Sequence, residues 1–148
     1  MKKILFLDID GVLNSGEYSK KLNHIMVING NGDFPDIDIE AMNRLNEIIK
    51  ATDCEVVLTS GWRTFPNIEN YLIEKGLCKP IMDKTMVSYI GRDYEIKYYL
   101  QTHEYSTFAI LDDNDFNLSE TFPFNFIQTT FQYGLTDELK NNVINKLK

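Results

Sequence analysis

Short apolar runs alternate with segments of helical periodicity along this chain. Residues 4–7 form a continuous apolar run, which predicts a buried strand of a parallel sheet. The stretches CEVVLTS, TFAILDDND and FNFIQTT predict three further strands. The first three of these four strands end in acidic or hydroxyl residues. A partly buried carboxylate is costly unless a cation pairs with it, so these endings indicate a chemical task.

Four helices are predicted between and after the strands. The clearest begins near Asp36 or Asp38, either of which can cap its N-terminus. Its apolar positions recur at helical spacing and are Ile39, Met42, Leu45, Ile48 and Ile49. The other helices are predicted over residues 67–75, 92–103 and 136–147, the last with Thr136 as N-cap.

Strands that alternate with helices predict an α/β fold, with a Rossmann-like parallel sheet covered by helices on both faces. The 148 residues are a typical length for one domain, so we expect a single domain over residues 1–148. Residues 14–35 are polar and predict a loop or hairpin excursion, with a candidate short strand over 24–28. Residues 80–89 are predicted to be irregular.

Composition narrows the classes of function. The net charge of −7 argues against non-specific coating of nucleic acid. Cys54 and Cys78 are far apart and form no zinc or disulfide pattern, which favours a reducing cytoplasm. Asp8 interrupts the first apolar run too early for a signal peptide, and no stretch is apolar enough to span a membrane. No obligate protein partner is indicated.

Chemically capable side chains follow three separate strands. Because the carboxyl ends of parallel strands meet at one edge of a sheet, we expect these side chains to converge there. They are Asp8 and Asp10, Thr59 and Ser60, and Asp112 and Asp113.

The four carboxylates predict a hard dication, since like charges in close proximity raise one another's pKa. Oxygen ligands without His or Cys suit Mg²⁺, which commonly also contacts a substrate phosphate. The cations for that phosphate would come from Arg63, Arg92 or Lys97, and the backbone amides near Gly11 and Gly61 would hold its oxygens.

The same residues predict covalent catalysis. Asp8 would attack phosphorus to form an aspartyl-phosphate, and Asp10 would act as general acid and then as general base. A calcium-binding EF-hand does not fit, because Gly11 stands fourth from Asp8 where the EF-hand loop needs glycine at its sixth position. A phospho-receiver domain is disfavoured, because its acidic pair precedes its phosphorylated Asp, whereas here the D-x-D motif comes first.

The order of the motifs D-x-D-G, LTSGWR, a basic residue before a helix, and ILDDND resembles the four motifs of the haloacid dehalogenase superfamily of aspartate-nucleophile phosphohydrolases. More narrowly, FLDIDGVLN, LTSGWR, GRDYEIKYYL and FAILDDNDF resemble the phosphatase domains of polynucleotide kinase-phosphatases and of Swiss Army Knife RNA repair proteins.

This resemblance implies a role for each matching residue. Asp8 would be the nucleophile and Asp10 the acid/base, with Asp113 as a metal ligand and Asp112 as its partner. Thr59 or Ser60 would bind the phosphoryl group, and Arg63 the substrate phosphate. Arg92 would be the cation of the third motif, with Lys97 as the alternative. The superfamily commonly has Lys there, so the arginine is a departure.

The resemblance also implies a nearly capless core in which residues 14–35 form a flap over an open site. The activity implied is a Mg²⁺-dependent phosphomonoesterase acting on a phosphorylated substrate, with polynucleotide 3′-phosphate ends as one candidate. A phosphatase or phosphotransferase for small molecules or nucleotides, and a catalytically silent phosphate-binding module, remain alternatives.

Overall fold

The computed structural model describes residues 1–22 and 34–148. Within them, a single parallel sheet has the strand order β3-β2-β1-β4-β5. The strands are β1 (Lys3–Leu7), β2 (Glu55–Leu58), β3 (Asp83–Lys84), β4 (Thr107–Asp112) and β5 (Phe126–Gln128). The predicted α/β class with a Rossmann-like parallel sheet is confirmed.

The helices of the described residues connect these strands. They are α1 (Gly16–Lys21), α2 (Ile39–Thr52), α3 (Ile68–Glu74), α4 (Arg92–Thr102), α5 (Leu118–Thr121) and α6 (Asp137–Leu147), with a 3₁₀ helix over Gly61–Thr64. Asp38 caps α2 by accepting a hydrogen bond from the Glu40 amide at 3.0 Å. Thr136 caps α6 as predicted, because its side chain accepts a hydrogen bond from the Leu139 amide.

Two hydrophobic cores lie on opposite faces of the sheet. Alternate strand residues such as Leu5 and Leu7 face one core, which also contains the apolar sides of α2, α3 and α6. The intervening residues Ile4 and Phe6 face the second core, where they pack with residues of α4 and α5. Helices therefore cover both faces, as the continuous apolar runs of the strands require.

Several short elements were not predicted from the sequence, among them the 3₁₀ helix over Gly61–Thr64. Helix α1 lies within residues 14–35, where only a loop or hairpin was expected, and Ser15 caps it by accepting from the Tyr18 amide. Strand β3 lies within the stretch expected to be irregular, and α5 follows β4. The candidate strand over 24–28 lies outside the described residues.

The carboxyl ends of the three central strands are level with one another. Leu7 pairs with Leu58 on one side and with Leu111 on the other. The amide of Asp8 then donates to the Leu111 carbonyl at 3.0 Å, and the amide of Thr59 donates to the Leu7 carbonyl at 2.9 Å. This register brings the strand-end residues to one edge of the sheet, as predicted. No helix in the described part of the chain is long and apolar enough to cross a bilayer.

Candidate active site

A pocket of about 420 Å³ opens at the carboxyl end of the sheet. Its lining combines acidic, hydroxyl, cationic and aromatic groups. The lining residues are Asp8, Asp10, Ser60, Gly61, Trp62, Phe65, Arg92, Asp113, Asn114, Phe116 and Phe131.

Three carboxylates form a compact group at the base of this pocket. Asp8, Asp112 and Asp113 each offer an oxygen atom, and these atoms all lie within 4.8 Å of one another. Asp8 and Asp112 are buried, whereas Asp113 is partly exposed. Each carboxylate follows or ends a central strand, so the register of β1 and β4 brings the three together.

Arg92 is the cation that faces this group. It is the first residue of α4, and its Nη1 donates to Asp112 Oδ2 at 2.7 Å and lies 3.5 Å from Asp8 Oδ1. Its guanidinium also lies over the ring of Phe116, 4.7 Å from the ring centroid. Burial lowers the pKa of Arg92, but the charges of Asp112 and Asp8 outweigh burial, and its pKa lies above the usual value.

Two carboxyls of the group, those of Asp8 and Asp113, have a raised pKa. Burial, followed by the charge of Asp112, raises the pKa of Asp8 well above its usual value. The same two causes raise the pKa of Asp113 from 3.8 to about 6. Like charges and burial act in the same direction here, because both penalise the ionised form.

This group fits a divalent cation. All its donors are carboxylate oxygens, which are the ligands that Mg²⁺ and Ca²⁺ prefer. Arg92 offsets one of the three negative charges that the ionised group would carry, and a dication would offset the other two. Burial and the charge of Asp112 raise the pKa of Asp8 and of Asp113, and a cation bound here would act in the opposite direction.

Asp10 stands apart from the group. Its Oδ2 accepts from the indole Nε1 of Trp62 at 2.7 Å, and its Oδ1 accepts from Asn14 Nδ2 at 2.9 Å. The predicted metal set contained Asp10, but its side chain is not part of the close trio. Two donors hold it at the pocket wall instead, an orientation that suits an acid/base.

The contacts of Asn14 and Trp62 with Asp10 were not predicted from the sequence. Asn14 is buried, donates also to the Asp36 carbonyl, and accepts from the Gly11 amide at 2.9 Å. The Gly11 amide is therefore engaged inside the loop, although it was predicted to face a phosphate. The sequence feature that could have identified Asn14 is its position in a turn, four residues after Asp10.

Thr59 and Ser60 occupy different positions. Ser60 lines the pocket and its Oγ accepts from the Trp62 amide at 3.1 Å, which leaves its hydroxyl hydrogen free to donate. Thr59 is fully buried, and its hydroxyl has no hydrogen-bond partner within the described residues. Gly61 lines the pocket, and a Cβ atom added to it would have no neighbouring atom within 4 Å among the described residues.

The other two predicted cations lie away from the pocket. Arg63 is buried beneath it and donates to four backbone carbonyls and to Glu95. Lys97 is exposed on α4 and does not line the pocket. Of the three candidates, only Arg92 faces the acidic group in this arrangement.

Aromatic rings surround the mouth of the pocket. Phe65, Phe116 and Phe131 line it while remaining 40%, 42% and 53% exposed. Phe65 also packs on Trp62, with ring centroids 4.6 Å apart. The backbone of Phe116 has φ of 47°, an uncommon conformation for a non-glycine residue that accompanies its contact with Arg92.

Comparison with known proteins agrees with this geometry. The family model described as the HAD domain in Swiss Army Knife RNA repair proteins matches residues 4–139. No curated protein and no solved structure gives a significant match. The matched span contains β2 to β5, all of β1 except Lys3, and all the residues that line the pocket. The chain therefore belongs to the family of HAD domains found in Swiss Army Knife RNA repair proteins.

Proposed function

We propose that this protein is a Mg²⁺-dependent phosphomonoesterase that works through an aspartyl-phosphate on Asp8. The observation that carries the proposal is the close trio of Asp8, Asp112 and Asp113 with Arg92 beside it. Membership of a phosphatase-type family supports the same reaction class. A bound Mg²⁺ would be held by the trio and would supply positive charge to the carboxylates and to the incoming phosphate.

The first half of the reaction transfers the phosphoryl group to the protein. An ionised Asp8 oxygen forms a bond to phosphorus, and the bond from phosphorus to the ester oxygen breaks. Asp10 enters this step protonated and gives its proton to the departing oxygen, which leaves as an alcohol. Trp62 and Asn14 hold the Asp10 carboxyl in place for this transfer.

The second half of the reaction removes the phosphoryl group from Asp8 and regenerates the free protein. A water molecule attacks phosphorus, the bond between phosphorus and Asp8 breaks, and Asp10 accepts the proton of the water. Inorganic phosphate leaves, and both carboxyls return to their starting states. Ser60 donates its free hydroxyl hydrogen to a phosphoryl oxygen during both halves, since it lines the pocket.

The shape and charge of the pocket favour the end of a nucleic acid over a long stretch of it. The exposed rings of Phe65, Phe116 and Phe131 offer stacking faces next to the phosphate position. No row of free cations flanks the pocket in the described residues, since Arg63 and Arg92 are engaged internally. A 3′-phosphorylated terminus, held by stacking of its last base, is the substrate class we propose.

The experiment that tests the reaction class measures phosphate release from p-nitrophenyl phosphate with Mg²⁺ or with EDTA. We expect turnover that requires the metal and disappears in Asp8→Asn. Asp137→Asn is the matched control, because Asp137 is an exposed aspartate at the start of α6. Equal activity in Asp8→Asn and wild type would contradict the mechanism.

A second measurement tests the substrate class. We expect kcat/KM to be higher for a 3′-phosphorylated oligonucleotide than for glycerol phosphate, and Phe116→Leu to reduce this preference. Loss of one stacked base is expected to cost about 1–3 kcal/mol, or roughly fivefold to 150-fold in kcat/KM. An equal rate on both substrates would favour a small-molecule phosphatase, and phosphate transfer to an added alcohol would favour a phosphotransferase.

A further inference from the structure

Arg63 lies at the centre of a buried hydrogen-bond cluster below the pocket. Its Nε donates to the Thr85 carbonyl at 3.0 Å, and its Nη1 donates to the carbonyls of Thr59 and Ser60 at 2.7 and 2.9 Å. Its Nη2 donates to the Met86 carbonyl and to Glu95 Oε1, both at 3.1 Å. These contacts use all five N–H groups of the guanidinium, and none is left for a substrate phosphate.

Glu95 extends the cluster into α4. It is buried, and its Oε2 accepts from the Ser88 amide at 2.7 Å while Oε1 accepts from Arg63. Glu95 and Arg92 lie three residues apart on α4, so they share one side of its first turn. Fixing Glu95 therefore fixes the rotation of the helix that presents Arg92.

The cluster ties together the segments that surround the acidic group. Arg63 connects the end of β2, which carries Ser60, to residues 85–86 after β3 and to the start of α4. The charge of Arg92 lowers the pKa of Arg63, whereas the charge of Glu95 raises the pKa of both arginines. Removing either member would leave a buried charge without its partner.

We propose that Arg63 and Glu95 form a clamp that positions Arg92 against Asp8 and Asp112, and that Arg63 does not bind the substrate phosphate. This inference rests on the proposed function for its kinetic consequence. It replaces the role that resemblance implied for Arg63 with a positioning role. Arg92 remains the residue that contacts the reacting groups.

A kinetic double-mutant cycle tests the clamp. Glu95→Gln keeps the shape of the side chain, and we expect it to lower kcat by about tenfold to 10²-fold with KM nearly unchanged. In an Arg92→Gln background the same change is expected to cost almost nothing, because the residue it positions is gone. Arg63→Lys is expected to behave like Glu95→Gln, since an ammonium cannot replace the planar fork.

The opposite pattern would overturn the proposal. If Arg63 binds phosphate, Arg63→Lys will raise KM and weaken inhibition by inorganic phosphate, whereas Glu95→Gln will leave both unchanged. The clamp would also be contradicted if the fold-losses in kcat of Glu95→Gln and Arg92→Gln simply multiplied in the double variant. Arg44→Gln is the control, because Arg44 pairs with Asp137 on α6, away from the pocket.

A readout without turnover separates this clamp from the proposed function. The ¹⁵N NMR signal of Arg92 Nε, identified by its loss in Arg92→Gln, is expected to shift in Glu95→Gln and to stay in place in Arg44→Gln. A shifted signal in a protein that releases no phosphate would contradict the proposed function and leave the clamp standing. An unmoved signal in an active enzyme would contradict the clamp alone.

Discussion

A Cβ atom on Gly11 would lie 2.3 Å from Asp113 Oδ2, closer than any side chain tolerates. Gly11 also has φ of 80°, in the left-handed region that costs a residue with a side chain about 1–3 kcal/mol. The glycine of the D-x-D-G motif is thus what allows the fourth-motif aspartate to reach the trio.

We predict that Gly11→Ala displaces Asp113 and weakens binding of Mg²⁺. The variant should unfold at lower temperature than wild type and should gain little stability when Mg²⁺ is added, as measured by thermal unfolding with and without the metal. Gly16→Ala is the control, because the nearest atom to an added Cβ there is 3.7 Å away. Full stabilisation of Gly11→Ala by Mg²⁺ would show that Asp113 does not hold the ion.

The second prediction concerns pH. The pKa of Asp113 is about 6 in the folded protein against 3.8 ordinarily. Folding therefore favours the protonated form, and this carboxyl destabilises the metal-free protein increasingly as pH rises from about 4 to about 6. Asp8 acts in the same direction, since its pKa is raised too.

Mg²⁺ competes with those protons, so its stabilising effect should grow with pH over the same range. We expect a small increase in Tm on adding Mg²⁺ at about pH 5 and a larger one at about pH 7. In Asp113→Asn the stability of the metal-free protein should depend less on pH. An increase in Tm that is the same at both pH values would contradict the assignment.

A matched pair of variants separates the roles of Thr59 and Ser60. Thr59→Val removes a buried hydroxyl that has no hydrogen-bond partner within the described residues, and should raise the free energy of unfolding by about 1 kcal/mol. Thr85→Val, which removes the other such threonine hydroxyl, should behave similarly. Ser60→Ala should instead reduce kcat/KM, because Ser60 lines the pocket. A larger kinetic loss in Thr59→Val than in Ser60→Ala would reverse the assignment.

The fourth prediction compares two cations of α4. Arg92→Gln should abolish most activity, because Arg92 contacts both Asp8 and Asp112. Lys97→Gln removes the same charge from the same helix, but Lys97 is exposed and outside the pocket, so kcat/KM should stay close to that of wild type. Steady-state kinetics on one phosphomonoester decide the comparison. Equal losses of kcat/KM would mean that Arg92 and Lys97 both serve as cations of the third motif.

The sequence predicted the sheet and the acidic edge because those features are local. A continuous apolar run followed by Asp8 or Asp112 indicates a buried strand and its polar end without knowledge of the rest of the chain. The level ends of β1, β2 and β4 then follow from the general geometry of parallel sheets. The caps Asp38 and Thr136 were equally local signals.

The features that were missed depend on tertiary contacts. Strand β3 has two residues, and its pairing with Val57 and Leu58 defines it more than its own pattern does. The buried hydrogen bonds of Arg63 could not be predicted either. Four of its five acceptors are backbone carbonyls, which carry no sequence signal. Ile39 is one of the apolar positions that recur at helical spacing, yet it is 58% exposed at the start of α2.

The last prediction uses the leaving group to test Asp10. A general acid contributes about 10²–10⁴-fold when the departing oxygen needs a proton, and far less when it leaves readily as an anion. Asp10→Asn should therefore reduce kcat strongly for an alkyl phosphate and much less for p-nitrophenyl phosphate. Trp62→Phe removes the 2.7 Å hydrogen bond to Asp10 and should show the same selectivity more weakly. Phe65→Leu is the control for the aromatic environment, because Phe65 packs on Trp62 and is not among the donors to Asp10. An equal loss on both substrates in Asp10→Asn would mean that Asp10 serves the site in some way other than proton transfer to the leaving group.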